Sequence, residues 1–478
     1  MGKLPDAAKR ELLAALGADH VRDDPEALVA YSYDATPLVQ AMPDAVVFPG
    51  STEEVAAVLR IASRYGIPVI PRGSGTNLSA GTVPVAGGIV LVLTRLNRIL
   101  EIDEENLTAT VQPGVITQHL HQTVEARGLF YPPDPGSMRI ATIGGNIAEC
   151  AGGLRGLKYG TTKDYVLGLE AVLMSGEVIR TGGKLVKDVA GYDLTRLLVG
   201  SEGTLAVITE ATLRLLPKPE HRKVMSALFD DLYGAARAVS SIIAHRIIPC
   251  TLEFMDRATV QVVEDYARVG LPTDIAAFLL IEQDGPEAVV ERDLQRIAAI
   301  CEACGAREVR VAATEEEGEA LRTARRAALS ALARLRPTTI LEDATVPRAQ
   351  IAPMVERITQ IAKKYDLLIC TFGHAGDGNL HPTCPTDARD PDEIARVEQA
   401  FEEIFAAAIE LGGTITGEHG VGAVKAPYLE WKVGAAGLEV LKGIKRAFDP
   451  QGLLNPGKIF PPDGRKRKVI HRVPHVHA

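Results

Sequence analysis

The sequence predicts a mixed α and β protein built from two or three domains. Its 478 residues exceed what one hydrophobic core normally supports. Helical and strand patterns both occur along the chain, and the composition changes near Pro217-Lys218-Pro219. Before that point the chain is rich in glycine, whereas residues 220–412 alternate strands with long helices rich in Ala, Glu and Arg. We therefore expect a domain boundary at 217–222.

The first element with well-marked ends is a helix over 51–66. Ser51 is a typical N-cap, acidic residues follow in the first turn, and a glycine ends the helical pattern. A short strand over 67–71 leads into the loop 72–81, where glycines and small hydroxyl residues are crowded. Such a loop after a strand exposes backbone N–H groups to a phosphate. It lacks the Gly-Lys-Ser/Thr ending of a P-loop.

A second glycine-rich region extends over 135–160. Because few side chains intervene there, the backbone can approach a bulky planar ligand closely. Residues 191–209 then join a short helical pattern to a turn and a buried strand. In the second half of the chain, long helices are predicted over 286–306, 315–335 and 391–411.

Two glycine-bracketed turns near the C-terminus carry histidines. His374 and His381 flank a run of Gly, Asp and Asn that disfavours a helix, since glycine costs about 1 kcal/mol in a helix interior. A strand, a tight turn and a second strand fit better, and both imidazoles could then face one point. Glu418 and His419 lie together in the other turn. A polar role at a strand end is the alternative for any one of these residues alone.

Together the four groups predict a metal site with a base beside it. Two imidazoles and a carboxylate leave coordination positions open, as a catalytic ion requires and a structural ion does not. Zinc, manganese and iron(II) all accept this set of ligands, so the ligands do not select the metal.

Charge and hydropathy exclude several classes of function. The net charge of −9 gives no basic surface for nucleic acid. No run approaches the roughly 18 uninterrupted apolar residues of a membrane span, and the N-terminus lacks the apolar core of a signal peptide, so we expect a cytoplasmic protein. The six cysteines are scattered, which places any iron–sulfur centre on another chain. The basic tail over 461–478 is expected to be solvated and disordered.

The motifs together resemble the flavoproteins of the vanillyl-alcohol oxidase and p-cresol methylhydroxylase superfamily. The chain is most similar to the group that contains the FAD-binding subunit of glycolate oxidase, D-lactate dehydrogenase and D-2-hydroxyglutarate dehydrogenase. The resemblance covers about 20–460. It is carried by six motifs in the family's order, at 71–77, 143–146, 200–205, 374–381, 418–420 and 455–458.

The resemblance implies an α+β fold of the vanillyl-alcohol oxidase type. Residues 1–220 would form a two-subdomain FAD-binding domain, and 221–420 a ferredoxin-like substrate domain that carries the metal site. Residues 421–460 would form a strap that returns to the FAD domain.

The same resemblance implies where FAD binds. The first glycine loop would hold the pyrophosphate, and Gly144, Gly145 and Asn146 would line the flavin. Some relatives attach FAD through a histidine in the first loop, but Thr76 and Asn77 stand there in this chain, so we expect non-covalent FAD. The full set of expected FAD-binding residues is Arg72, Gly73, Ser74, Gly75, Thr76, Asn77, Gly81, Pro135, Gly136, Thr142, Gly144, Gly145, Asn146, Gly152, Gly153, Tyr159, Gly160, Glu202, Gly203, Ile208 and Asn455.

By the same resemblance, a divalent metal (Zn, Mn or Fe) would be held by His374, His381 and Glu418, while His419 would serve as the base. An arginine that precedes the turn between His374 and His381 would bind the substrate carboxylate. Arg325 is best placed for this role, and Arg326 is the alternative. A solvated helix face is the alternative for both arginines. Asn379, within the metal turn, completes the expected catalytic set.

The substrate implied is a small 2-hydroxy acid. Hydroxyglutarate enzymes carry a threonine and a lysine where Leu329 and Leu341 stand here. The loss of both polar groups favours a monocarboxylate such as D-lactate or glycolate, which would be oxidised to the 2-oxo acid with hydride transfer to flavin.

Several alternatives stay open at this level. The chain could be the FAD-binding subunit of a multi-subunit glycolate or lactate oxidase, or a D-2-hydroxyglutarate dehydrogenase. A non-haem iron oxygenase would use the same ligands, but it would not explain the two glycine-rich regions. Oxygen, a quinone, an iron–sulfur subunit and an electron-transferring flavoprotein are all open as electron acceptors. A homodimer and peripheral membrane association through partner subunits are open as well.

Overall fold

The structure, a computed structural model, describes residues 4–460, and the prediction for the tail 461–478 lies outside this range. The α-helices in this range are α1 (Asp6–Leu16), α2 (Pro25–Ala30), α3 (Thr52–Tyr65), α4 (Thr117–Glu125), α5 (Ile143–Glu149), α6 (Gly156–Tyr159), α7 (Leu194–Leu198), α8 (Leu232–Ala244), α9 (Arg257–Ala267), α10 (Glu287–Ala303), α11 (Glu315–Arg326), α12 (Ala328–Leu332), α13 (Ile351–Lys364), α14 (Pro391–Glu410) and α15 (Leu429–Phe448).

The β-strands in the same range are β1 (Val21–Arg22), β2 (Ala45–Val47), β3 (Val69–Arg72), β4 (Ile89–Val92), β5 (Ile99–Asp103), β6 (Thr108–Val111), β7 (Leu129–Phe130), β8 (Val166–Val172), β9 (Val178–Gly182), β10 (Val207–Arg214), β11 (Leu216–Pro217), β12 (His221–Phe229), β13 (Thr251–Asp256), β14 (Ala277–Gly285), β15 (Ala306–Val311), β16 (Thr338–Leu341), β17 (Ala344–Thr345), β18 (Cys370–His374) and β19 (Asn379–Thr386). No helix among the described residues is both long enough and apolar enough to cross a membrane.

The chain forms two compact units. Within the described range, the first contains the residues up to Ala151, Thr161–Pro217 and the residues from Glu418 onward. The second contains Gly152–Gly160 and Lys218–Gly417. This grouping differs from the predicted domain limits at 152–160 and 218–220, which belong to the second unit, and at 418–420, which belong to the first.

The first unit contains two main sheets. One has the strand order β1-β2-β4-β3, in which β4 runs parallel to both β2 and β3. Helix α3 packs its apolar face onto the core of this sheet, with Val55 and Leu59 fully buried. The predicted helix over 51–66 is confirmed, because Ser51 Oγ accepts a hydrogen bond from Glu54 N at 3.2 Å and Gly66 ends the helix in the left-handed conformation. The other sheet is antiparallel, in the order β5-β6-β10-β8-β9.

The segment after α15 returns to the first sheet. Val69 N donates to Leu453 O at 2.9 Å, and Asn455 N donates to Val69 O at 2.7 Å. The strap also contains more helix than its turn-rich end suggested, because α15 occupies Leu429–Phe448. A break lies inside this helix at Gly434, whose φ is 69°.

The second unit is built on one large antiparallel sheet with the order β15-β12-β14-β13-β18-β19-β16, and β17 also pairs with β19. The predicted helices over 286–306 and 391–411 correspond to α10 and α14. The single helix predicted over 315–335 is wrong. The backbone opens at Ala327, whose ψ of −8° departs from helical geometry, so that α11 and α12 are separate helices.

Candidate active site

The predicted strand, turn and strand around His374 and His381 are confirmed. Strands β18 and β19 form a hairpin in which Phe372 pairs with His381 and His374 pairs with Asn379. The connecting turn is closed by Gly378 N, which donates to His374 O at 3.0 Å. Paired residues share a face of the sheet and so do residues two apart on one strand, which places both imidazoles on the same face.

These imidazoles meet at a right angle. The ring centroids of His374 and His381 are 5.1 Å apart, with an interplanar angle of 89°. Among residues 4–460, the structure brings one ligand atom from each of His374, His381 and Glu418 within 4.8 Å of one another. Both histidines are buried and Glu418 is half-buried. Two imidazole nitrogens and one carboxylate oxygen therefore fit a divalent transition metal by their chemistry.

Glu253 on β13 extends this group beneath the histidines. Its Oε1 lies 2.7 Å from His374 Nδ1, and its Oε2 lies 2.6 Å from Arg325 Nη2. The carboxylate is only 1% exposed. Burial acts to raise its pKa, but the electrostatic interactions with His374 and Arg325 together outweigh burial, so that the pKa of Glu253 lies below its ordinary value.

Sequence reasoning missed Glu253, although the sequence holds a signal for it. An acidic residue in the middle of an apolar strand requires a buried partner, because an unpaired buried carboxylate is very costly. The sequence does not show what that partner is.

Arg325 lies on α11, which packs on β14 of the sheet. Its guanidinium carbon lies 4.8 Å from the centre of the Phe372 ring, and the residue is 5% exposed. Its Nε has no hydrogen-bond partner among the described residues, so it retains a donor for a ligand.

The two neighbouring arginines differ from Arg325 in their partners. Arg322 is buried among Glu282, Glu315 and Glu319. Arg326 is half-buried, and its guanidinium lies 3.8 Å from the carboxylate of Glu319. Of the three arginines, Arg325 is the one that contacts the carboxylate beneath His374.

Asn379, predicted to be catalytic, is buried at the start of β19. Its Oδ1 accepts a hydrogen bond from Thr345 Oγ1 at 2.8 Å. Asp343, which sequence reasoning also missed, accepts from Gly417 N at 2.6 Å and from Thr416 Oγ1 at 3.2 Å. The fully buried Asp343 thus fixes the segment that leads directly into Glu418.

Glu202, predicted to bind the cofactor, holds the backbone that follows His419. Its carboxylate accepts from Val421 N at 2.7 Å and from Gly422 N at 2.6 Å. Burial raises the pKa of Glu202, although these two N–H groups act in the opposite direction. Asn455 Nδ2 donates to Glu202 O at 2.7 Å and to Gly81 O at 3.0 Å.

Asn77 organises the first glycine loop from within. Its Oδ1 accepts from Ser79 N at 2.9 Å and from Gly81 N at 2.6 Å, while its Nδ2 donates to Glu149 Oε1 at 2.6 Å. Burial, together with the charges of Glu202 and Asp34, holds the pKa of Glu149 well above its ordinary value.

The remaining expected FAD-binding residues fall into two groups. In the first unit, Thr142 caps α5 by accepting from Gly145 N at 3.3 Å, and Arg72 donates to Tyr33 O at 2.7 Å. A Cβ atom on Gly73 would lie under 3.0 Å from the Thr142 hydroxyl, so the loop and the helix N-terminus are in close contact. The further members of this group, placed in the same unit, are Ser74, Gly75, Thr76, Pro135, Gly136, Gly144, Asn146, Gly203 and Ile208.

The other group belongs to the second unit. It contains Gly152, Gly153, Tyr159 and Gly160. Tyr159 donates its hydroxyl to Asp284 Oδ2 at 2.7 Å, and Lys158 also bonds to Asp284. The expectation that the residues of both groups bind FAD stays a prediction.

Comparisons with known proteins agree with the resemblance seen in the motifs. Residues 43–182 match the profile "FAD binding domain", and 218–459 match "FAD linked oxidases, C-terminal domain". The glycolate oxidase subunit GlcD of Bacillus subtilis (strain 168) is 62% identical over 464 residues, which cover 97% of this chain and 99% of the relative. A D-lactate dehydrogenase of Anaerostipes hadrus is 38% identical over 433 residues, which cover 88% and 90% respectively.

Among solved structures, p-cresol methylhydroxylase with substrate bound has a TM-score of 0.80 at 19% identity. The match covers 95% of this chain and 97% of that one. At this level of identity the likeness shows the fold alone, and it confirms the predicted α+β fold of the vanillyl-alcohol oxidase type.

Proposed function

This chain belongs to the FAD-linked oxidases, and we propose that it oxidises glycolate or D-lactate to the 2-oxo acid, using non-covalently bound FAD and a divalent metal. The coarser statement, an FAD-linked oxidoreductase acting on a 2-hydroxy acid, follows from its relatives. A glycolate oxidase subunit is 62% identical across 97% of the chain. The observation that supports the finer proposal is the group of His374, His381 and Glu418, whose ligand atoms lie within 4.8 Å of one another.

Each protein group in this proposal has a defined task. Bound FAD supplies the hydride acceptor, and a bound divalent ion lowers the pKa of the substrate hydroxyl. His374, His381 and Glu418 would hold the ion. His419 would accept the proton from the hydroxyl, since an imidazole with a pKa near 6.5 is a competent base at neutral pH. Arg325 would hold the substrate carboxylate through the N–H donor that no described residue uses.

The preference for a small monocarboxylate is supported by the side chain at position 341. Leu341 pairs with Thr383, two residues beyond His381, so it lies on the same face of the sheet as the histidines. It offers no hydrogen bond to a second carboxylate. Desolvating such a charge against a leucine would cost several kcal/mol.

A partner chain as electron acceptor is supported by the names of the relatives. The Bacillus subtilis relative and that of Escherichia coli (strain K12), the latter 39% identical over 465 residues, are both described as subunits of glycolate oxidase. We propose that this chain likewise passes electrons from reduced FAD to another subunit.

The proposal is tested by anaerobic titration of the purified holoenzyme with D- and L-2-hydroxy acids while flavin absorbance is followed. Glycolate or D-lactate should bleach the flavin. His419→Asn should retain FAD and metal but reduce the flavin roughly 10² to 10⁴ times more slowly, the usual range for loss of a general base. His245→Asn, an exposed histidine in the second unit, is the matched control and should behave as the unmodified enzyme. Bleaching at an unchanged rate in His419→Asn would contradict the assigned base.

A further inference from the structure

We propose that Glu253 is a positioning residue that ties the metal ligand His374 to the substrate-binding Arg325 through a single buried carboxylate. The inference rests on the proposed function, because it assigns Glu253 a role in holding the proposed ion and the substrate carboxylate in register. The contacts that carry it lie within the second unit.

The pairing of strands delivers Glu253 to the site. Met255 pairs with Phe372, so Glu253, two residues away on β13, lies on the same face of the sheet as His374. Strand β18 is the direct neighbour of β13, and this brings residues 121 positions apart in the chain into hydrogen-bond contact. The register of the sheet therefore fixes which side chain lies beneath His374.

The contact selects one imidazole nitrogen for the ion. With Glu253 Oε1 at 2.7 Å, an N–H at His374 Nδ1 donates a hydrogen bond to the carboxylate. Nε2 would then be the nitrogen that ligates a bound ion. A carboxylate behind a ligating histidine also holds the ring in one orientation and raises its basicity, and the loss of such a partner typically costs 10-fold to 100-fold in metal affinity.

The second oxygen of the same carboxylate places the arginine. Arg325 Nη2 lies 2.6 Å from Glu253 Oε2, and the Phe372 ring supports the guanidinium from one side. Because both partners share one rigid carboxylate, a change in its length or charge must move His374 and Arg325 together. A residue that only stabilised the fold would not link metal affinity to substrate binding.

The neighbouring strand provides a matched control. Glu282 on β14 is also buried and lies on the same face, since it pairs with Thr251, two residues before Glu253. Its charged partners are Arg222 and Arg322, each at 3.8 Å. Glu282→Gln therefore removes a buried carboxylate from the same sheet without touching the proposed link.

The test measures metal affinity and substrate-analogue binding separately from turnover. Holoenzyme is stripped with chelator, and Zn²⁺ and Mn²⁺ affinities are determined by competition. Oxalate, a carboxylate probe that cannot be oxidised by hydride loss, is titrated by its effect on the flavin spectrum. We expect Glu253→Gln to lower metal affinity 10-fold to 100-fold and to weaken oxalate binding, with FAD content unchanged. Glu282→Gln should match the unmodified enzyme in both measurements.

Glu253→Asp is a second variant that keeps the test informative if Glu253→Gln does not fold. It keeps the buried charge opposite Arg325 but is one methylene too short to reach both partners, so metal affinity should still fall at least 10-fold. Metal affinity equal to the unmodified enzyme in a folded Glu253→Gln or Glu253→Asp would overturn the inference while leaving the proposed function intact. An unmodified enzyme that binds no stoichiometric divalent metal would overturn the proposed function, and the inference with it.

Discussion

Replacing Gly73 by alanine should weaken FAD binding through a side chain that lies behind the glycine loop. A Cβ atom at this position would lie under 3.0 Å from the hydroxyl oxygen of Thr142, closer than real Cβ contacts allow. That hydroxyl is the N-cap of α5, where it accepts from Gly145 N at 3.3 Å. The added methyl group therefore has to displace the cap, and the helix N-terminus loses its fixed geometry.

The size of the effect follows from the cap. Losing an N-cap hydroxyl costs about 1 kcal/mol, within a range of about 0.5 to 2. If the conformation that binds FAD becomes less stable by about 1 to 2 kcal/mol, the FAD dissociation constant should rise by a factor of roughly 5 to 30. Thr142→Ala removes the cap but also makes room for the methyl group. The double variant should thus be little worse than Thr142→Ala alone, a coupling that only contacting residues show.

The assay is titration of the apoprotein with FAD, followed by quenching of flavin fluorescence. Gly443→Ala is the control, because its Cβ would meet only Arg446 Nη2 at 3.9 Å within a helix. It should leave the dissociation constant unchanged. An unchanged constant in Gly73→Ala, or fully additive losses in the double variant, would show that the contact between Gly73 and Thr142 does not control FAD binding.

Three further predictions concern the loop after His419, the pH dependence of stability and the substrate. Glu202→Ala leaves Val421 N and Gly422 N without their acceptor, at about 1 to 3 kcal/mol each. The proportional loss in the rate of flavin reduction should exceed the proportional loss of thermal stability, and a rate equal to that of the unmodified enzyme would count against this role. Burial raises the pKa of Asp256 from 3.8 to about 6, so the folded state binds this proton more tightly than the unfolded state does. The free energy of unfolding should therefore fall by about 3 kcal/mol as the pH rises from 3.8 to about 6. Urea unfolding of Asp256→Asn should lack this pH dependence, and its persistence would assign the dependence to another group. Glycolate or D-lactate should reduce the flavin at least about ten times more efficiently than D-2-hydroxyglutarate, because burying a second charge is costly. Leu341→Lys should make this difference in efficiency smaller. Equal efficiency in the unmodified enzyme would show that Leu341 does not set specificity.

Local sequence signals predicted the parts of the site that depend on local chemistry. The turn between His374 and His381 was predictable because glycine and Asp exclude a helix there and permit a hairpin. The start and end of α3 were predictable because Ser51 and Gly66 are a hydroxyl cap and a left-handed terminator. In each case the residues that decide the structure are neighbours in the sequence.

The parts that failed or were missed depend on contacts between distant segments. Glu253 reaches His374 only because β13 and β18 are adjacent in the sheet, and no periodicity in either strand specifies that neighbour. The prediction that Glu202 binds the cofactor stays a prediction, but no local pattern indicates that its carboxylate accepts hydrogen bonds from backbone N–H groups 219 and 220 residues further along the chain. Strand order and loop closure, which set these partners, are properties of the whole unit.

Acidic residues within apolar segments are a sequence signal for contacts between distant segments. They predict that a buried partner exists but not which residue it is. Burial forces a partner on each, because an isolated charge in the interior is too costly. Glu253 contacts a histidine and an arginine, whereas Glu282 lies near two arginines. Asp256 accepts hydrogen bonds from the backbone N–H and hydroxyl of Thr259 and from Thr371 N. Sequence alone marks all three as paired. Only the sheet register separates the carboxylate that contacts a histidine from the two that do not, since it decides which side chains lie opposite one another on neighbouring strands.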